Sequence, residues 1–331
     1  MSAQQVLEFG LPLYQKGVEK RPLGNLDGRV SDDAKFYGIY RTGDGHLIGT
    51  CGRDFTPTQP REALNVLDTL VEGGKVGYET AGTLSEGTTL WISAKVLEDP
   101  FEVLPGDLSE LFLSVSTAFT SGRGTHVMAH AGRIVCANTE AIAVKEGKRT
   151  KRHISVSHRY NDQAAALKTA TQALGYAHSA WEQYKTEAQS LVSKQLNPAA
   201  LAAFAEAVMP SKADPDETGE RPVSSKLHNM RLELIRLAVS GPGTEIPGVR
   251  GTAWGALQGL TNYTSHGGNS SEQTRLGNLW GGRAAGVVQE GRKFLLTMDP
   301  SVYKHSVQGA TLAAAPPVAQ AVGGRFGSLD L

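Results

Sequence analysis

The chain has 331 residues, of which 40% are hydrophobic and 20% charged, and its formal net charge is +0. That balance supplies enough apolar surface for a sizeable core and excludes a disordered or collagen-like chain. No apolar run reaches the roughly 18 residues of a membrane span, the opening MSAQQVLEFG is not a secretory leader, and two cysteines, Cys51 and Cys136, make no disulfide framework, so the cytoplasm is the expected compartment.

In chain order, residues 1–34 are punctuated by Gly, Asp and Pro and read as an N-terminal arm. FYGIYRTGDGHLIGTC (36–51) reads as a hairpin about a Gly-Asp-Gly turn. Pro60 opens a helix with Ala63, Leu64, Leu67, Leu70 and Val71 on one face and glycines at its end. Strands are expected over 75–97 (two of them), 108–119 and 125–136, with SGRG (121–124) as the last turn. The final strand alternates, with His126, Met128, His130 and Gly132 on one side and Val127, Ala129 and Ala131 on the other. A helix is expected to begin near Ala137, capped by Asn138 and Thr139, with a phosphate seated at that helix start as the sharper alternative.

The second half reads as helical. From Asp162, the positions Leu167, Ala170, Leu174, Ala177, Trp181, Tyr184, Ala188 and Leu191 form a heptad seam along about 45 Å of helix. Such a seam either packs within the chain or forms a subunit interface. Asn197-Pro198 opens an alanine-rich helix over 198–208, and a polar loop covers 210–224. A further helix carries Leu227, Met230, Leu234 and Leu237 until SGPG (240–243) stops it, and another spans 251–268. Trp254 and Tyr263 read as core aromatics. The expected fold is α+β: an antiparallel β-meander with a packed helix over 35–155, a mostly helical region over 156–300, and an extended tail over 301–331.

Three segments resemble the phage/plasmid-like protein family catalogued as domain of unknown function 932. They are RIVCANT (Arg133, Cys136, Asn138, Thr139), the start of the long helix in ISVSHRYND…ALKTATQALG (His158, Leu174, Gly175), and GTAWGALQGLTNYTSHG (Gly251, Thr252, Trp254, Gly255, Tyr263, His266). The resemblance covers roughly residues 25–290. Where such proteins carry a Ser-His-Asp-Gly turn, this chain has Ser121-Gly122-Arg123-Gly124, so a role for that His or Asp does not transfer. In element order the family resembles the single-strand annealing proteins, which implies ATP-independent annealing and homologous recombination.

Charge is unevenly spread. Residues 1–120 carry 10 Lys+Arg against 17 Asp+Glu, whereas residues 121–160 carry 8 against 2. Lys145, Lys148, Arg149, Lys151, Arg152 and Arg159 cluster there, preceded by Arg123 and Arg133. Cations in such density neutralise backbone phosphates and release counterions, which makes these residues the candidate DNA-binding set; a solvated basic loop is the plain alternative. Aromatic partners for base stacking are few: Tyr160, with Trp91 and Phe119 further off. His126, His130 and Cys136 lack metal-ligand spacing, Cys136 with Asn138 and His158 reads as a small core residue rather than a nucleophile, and Gly147-Lys148 is no P-loop. No enzyme activity, metal or cofactor is expected. The expected partners are single-stranded DNA and further copies of the chain in a ring or filament. The alternative is a mobile-element regulatory or anti-defence protein that binds a host protein through its acidic segment.

Overall fold

The computed structural model describes residues 2–24, 35–84, 87–119, 125–133, 138–140, 154–156, 163–217, 219, 221–266 and 283–303. The hairpin expected from its turn residues is present as β2 (Phe36–Arg41) and β3 (Leu47–Gly52). Its turn uses Gly45 at φ 71°, where a side chain would be strained, and the Gly45 N–H donates to the Arg41 carbonyl at 2.8 Å. β1 (Val18–Pro22) adds antiparallel to β2 and completes a three-stranded sheet.

The residues preceding β1 differ from the arm expected for 1–34. Ala3, Val6, Leu7, Leu11 and Tyr14 are buried, on or between short helical turns that pack against the core. The Tyr14 hydroxyl donates to the Gly87 carbonyl at 2.5 Å, and its ring stacks on Phe119 at 5.5 Å. Apolar residues recurring every three or four positions outweigh the glycines and prolines that punctuate this stretch.

α1 (Pro60–Glu72) starts at its proline, as expected, and buries Ala63, Leu64, Leu67 and Leu70. Gln59, just before it, exchanges two side-chain hydrogen bonds with the backbone of Val18, at 3.1 and 2.9 Å, and so ties the helix start to β1.

A seven-stranded antiparallel sheet follows. Its path is β10 (Ile154–Val156), β8 (Thr125–Arg133), β7 (Asp107–Ala118), β5 (Thr89–Val96) and β4 (Val76–Leu84). β6 (Phe101–Leu104) pairs with β7, and β9 (Asn138–Glu140) pairs with β8. Strict alternation sends Leu90, Ile92 and Ala94 of β5, Leu111, Leu113 and Val115 of β7, and Val127, Ala129 and Ala131 of β8 into the core. α1 and α2 (Gln163–Ser193) pack on these strands. The helix expected from Ala137 is not formed at Asn138–Glu140: these residues pair with Arg133–Ala131 of β8, because an open ladder edge satisfies their backbone where a cap would satisfy only a few N–H groups.

Along α2 the seam residues Ala177, Trp181, Tyr184, Ala188 and Leu191 are buried, so the heptad faces the chain's own core. Trp181 stacks on Tyr184 at 5.1 Å and meets Phe101 edge-on at 6.1 Å. α3 (Pro198–Val208) is capped by Asn197, whose side-chain oxygen accepts from the Ala200 N–H at 2.8 Å. α4 (Ser225–Ser240), α5 (Ala253–His266) and α6 (Arg283–Thr297) complete the helical part. An ion pair between Arg292 and Glu187 joins α6 to α2. One continuous hydrophobic cluster runs from the N-terminal turns through the sheet to α6. The fold is therefore α+β with a helical C-terminal region, and among the described residues no helix is long and apolar enough to cross a membrane.

Candidate functional site

Two strands share one edge of β8. Asn138–Glu140 of β9 pair with Arg133–Ala131, while Ile154–Val156 of β10 pair with Val127–Thr125. Both run antiparallel to β8, so β9 and β10 act as two halves of one edge strand, interrupted by the connection 141–153. Glu140 lies opposite Ala131 and Ile154 opposite Val127, which puts the two ends of that connection about 13 Å apart at the usual rise per strand residue. Lys145, Lys148, Arg149, Lys151 and Arg152 all belong to this connection. Their own placement, with that of Arg123, Arg159 and Tyr160, lies outside the described residues. Arg133 is at the C-terminal end of β8, in register with Ser109 and Asn138. What the structure settles is where the basic connection is attached: on the sheet edge, at both ends.

The sheet face opposite α1 and α2 is the surface next to that edge. Register places Trp91, Ser93 and Lys95 of β5, Glu110, Phe112, Ser114 and Ser116 of β7, and His126 and His130 of β8 on it. Two rings lie across glycines of the neighbouring strand. Three ring atoms of Trp91 come within 3.0–3.1 Å of where a Cβ on Gly82 would stand, and Phe112 approaches the same point on Gly132 to 2.7 Å. Both glycines are required, because any side chain there would lift the ring off the sheet. Phe112 in turn stacks on His130, with centroids 5.3 Å apart and planes 8° from parallel. Flat aromatic rings on an antiparallel sheet are the geometry that base stacking uses; here Trp91 and Phe112 are half-buried, and one face of Phe112 is already covered by His130.

The polar groups between the rings are mutually satisfied. Ser114 donates its hydroxyl to Ser93 Oγ at 2.9 Å and lies 3.3 Å from His130 Nδ1. With the Ser114 hydrogen spent on Ser93, Nδ1 carries the imidazole proton and donates to Ser114. Burial pushes the His130 pKa down to about 4, so the ring is neutral at physiological pH. Lys95 and Glu110 form an ion pair across β5 and β7. The arrangement is a nearly neutral platform on a sheet whose β8 edge carries both ends of the basic connection.

Sequence reasoning and structure part over the aromatics. Phe119 is fully buried against Tyr14 and is no stacking partner. Phe112 is the ring that sequence reasoning overlooks; its only signal is its place in an alternating strand. Cys136 and His158 lie outside the described residues, and among those described no group of three or more His, Cys, Asp or Glu could hold a metal. In GTAWGALQGLTNYTSHG, Trp254 is buried and donates its indole N–H to Asp107 at 2.8 Å, which ties α5 to the start of β7. Tyr263 is only partly buried, and with His266 it lines a cleft between α4 and α5.

Residues 47–304 match the family model described as Domain of unknown function (DUF932). The chain belongs to this family. No curated protein and no solved structure matches it. For this DUF932 chain the matched span takes in β3, the whole seven-stranded sheet, helices α1 to α6 and the basic connection.

Proposed function

We propose that this DUF932 chain binds single-stranded DNA and promotes annealing in ATP-independent homologous recombination of a phage or plasmid. The observation that carries the reading is the attachment of the basic connection 141–153 to the β8 edge, beside a face bearing Trp91 and the Phe112–His130 stack. Lys145, Lys148, Arg149, Lys151 and Arg152, aided by Arg123, Arg133 and Arg159, would neutralise phosphates, while flat rings accept bases irrespective of sequence. Annealing requires a strand held by its backbone with its bases free to test pairing, and no nucleotide hydrolysis enters. Repeated weak interactions along a strand favour a homo-oligomer, as a ring or filament, because each added copy binds at high effective concentration.

The deciding experiment is anisotropy of a labelled oligo-dT strand at low and moderate salt, with duplex of equal length alongside. Tight, salt-sensitive binding to the single strand is expected. Replacing Lys148, Arg149, Lys151 and Arg152 together by Ala should lower the affinity and reduce the salt slope by up to about 3, at roughly 0.7 for each phosphate left without a cation. An unchanged slope would assign binding elsewhere.

One observation favours a second reading, a mobile-element regulatory or anti-defence protein that binds a host protein. Phe36 and Leu47 are 69% and 44% exposed on the outer face of the three-stranded sheet, where the Arg21 guanidinium sits 5.4 Å over the Tyr40 ring. That face is apolar, with Arg21 ion-paired to Glu19, unlike the acidic binding surface expected from the charge of residues 1–120. Absence of strand binding even at low salt would leave this reading standing.

A further inference from the structure

The three-stranded sheet has two edges, and among the described residues only one of them is closed. On β1 the Gln59 side chain accepts from the outward Val18 N–H and donates to the Val18 carbonyl, and Pro22 has no N–H to offer. On the other side no described strand pairs with β3. The Arg41 N–H donates to the His46 carbonyl and its own carbonyl accepts from Gly45, so alternation along β2 turns the backbone groups of Ile39 and Tyr37 towards β3 as well. Their opposites, Gly49 and Cys51, point back to β2. The N–H and carbonyl of Thr50, between them, therefore point off the edge, and no described group bonds them. No residue from Leu47 to Gly52 is charged, so the strand carries no device that repels a second strand electrostatically.

The side chains beside that edge fit a two-fold axis. Register puts Phe36 and Gly52, Gly38 and Thr50, and Tyr40 and Leu47 side by side on the outer face, with Ile48 as the extra residue of a bulge. Two copies of β3, antiparallel and with Thr50 opposite its own copy, bring Gly49 opposite Cys51 and Gly52 opposite the bulge, where Leu47 shares its face. Nothing lies within 4 Å of where a Cβ on Gly52 would stand. Leu47 of one copy then enters the open space over Gly52 of the other and meets Phe36 beyond it. Phe36 and Leu47 are the exposed large apolar side chains of this sheet, and one register covers both. Thr50 against Thr50 is a favourable cross-strand pair.

We propose that β3 pairs antiparallel with β3 of a second copy about a two-fold axis at Thr50, joining two three-stranded sheets into one of six strands. Such a self-complementary seam closes on two copies and differs from the head-to-tail contacts of a ring, and it does not rest on the DNA reading.

Sedimentation velocity of the full chain at about 50 µM, without DNA, tests it. The wild type should have at least twice the mass of one chain. Thr50→Pro removes the outward donor, and Gly52→Glu fills the open space with a charge; each should halve the mass, with melting temperatures within a few degrees of the wild type. Under oxidation Thr50→Cys should cross-link well above the wild-type level, since residues opposed in a hydrogen-bonded pair stand about 5.5 Å apart at Cα, within disulfide reach. Phe36→Cys, whose copies lie three strand spacings apart, at least about 14 Å, should not. A wild-type monomer, a mass unchanged in both Thr50→Pro and Gly52→Glu, or Phe36→Cys cross-linking as readily as Thr50→Cys would overturn the proposal; a monomer would also return Phe36 and Leu47 to the host-protein reading. Because no strand is present, none of these outcomes bears on the DNA reading, which stands or falls on oligo-dT binding.

Discussion

His130 illustrates how one residue on the platform couples packing to pH. Its folded pKa of about 4 lies below the ordinary 6.5 because burial disfavours the imidazolium. As pH falls through 6.5 the unfolded chain takes up the proton first, so the stabilisation held by neutral His130 is complete above that pH. It is lost progressively towards pH 4, with an upper bound of about 3 kcal/mol. Urea midpoints at pH 7 and pH 5 should therefore differ more for the wild type than for His130→Gln, which keeps a donor for Ser114 but does not titrate; equal differences would exclude His130 as the source. Trp91 gives the corresponding test of function. If bases stack on this face, Trp91→Ala should cost about 1–3 kcal/mol of oligo-dT affinity at a salt slope close to that of the wild type, because stacking rather than charge is removed.

Elements differ in how far the sequence reveals them, for physical reasons. The β2–β3 hairpin, α1, the strands of the meander and the long α2 are all legible, because each carries its own periodicity or its own turn and cap residues. Direction is harder: the seam of α2 has two possible partners, and only the burial of Trp181 and Tyr184 against the sheet decides between them. β9 reads wrongly because three residues, Asn138–Glu140, cannot show a period, and their local chemistry favours a helix cap; the strand exists only because β8 offers an edge. β6, at four residues, is hidden for the same reason. The close approach of α4 and α5 is a tertiary fact that a Gly-x-x-x-Gly spacing at 255 and 259 merely permits. It predicts that Gly259→Ala destabilises the protein by roughly 1–2 kcal/mol: the gain in helix propensity is smaller than the cost of driving a methyl into the Ala238 backbone. Thermal melting measures this, and a stabilised variant would show that the helices can part freely.

At the scale of the whole molecule, the candidate site is legible as charge and illegible as surface. The basic window stands out in the sequence because like charges cluster. The platform beside it does not, because Trp91, Phe112 and His130 come from three strands and only register brings them onto one face. The charge is separated along the chain, −7 over residues 1–120 and +6 over residues 121–160, from 10 against 17 and 8 against 2 charges; if the proposed function holds, such a separation would favour approach of an anionic strand.

The interrupted edge strand has a consequence for what the chain can tolerate. β9 and β10 are each pinned to β8, so a change in the length between them alters the loop-closure entropy by only about 0.6 kcal/mol per doubling. Exchanging 141–153 for a neutral Gly/Ser linker long enough to cross the 13 Å or so between its ends should leave the melting temperature within a few degrees while removing strand affinity. A large drop in melting temperature would mean that the connection itself packs into the fold. The sheet thus works as a socket: the same frame could accept inserts of different length and charge, and so acquire a different ligand without relearning how to fold.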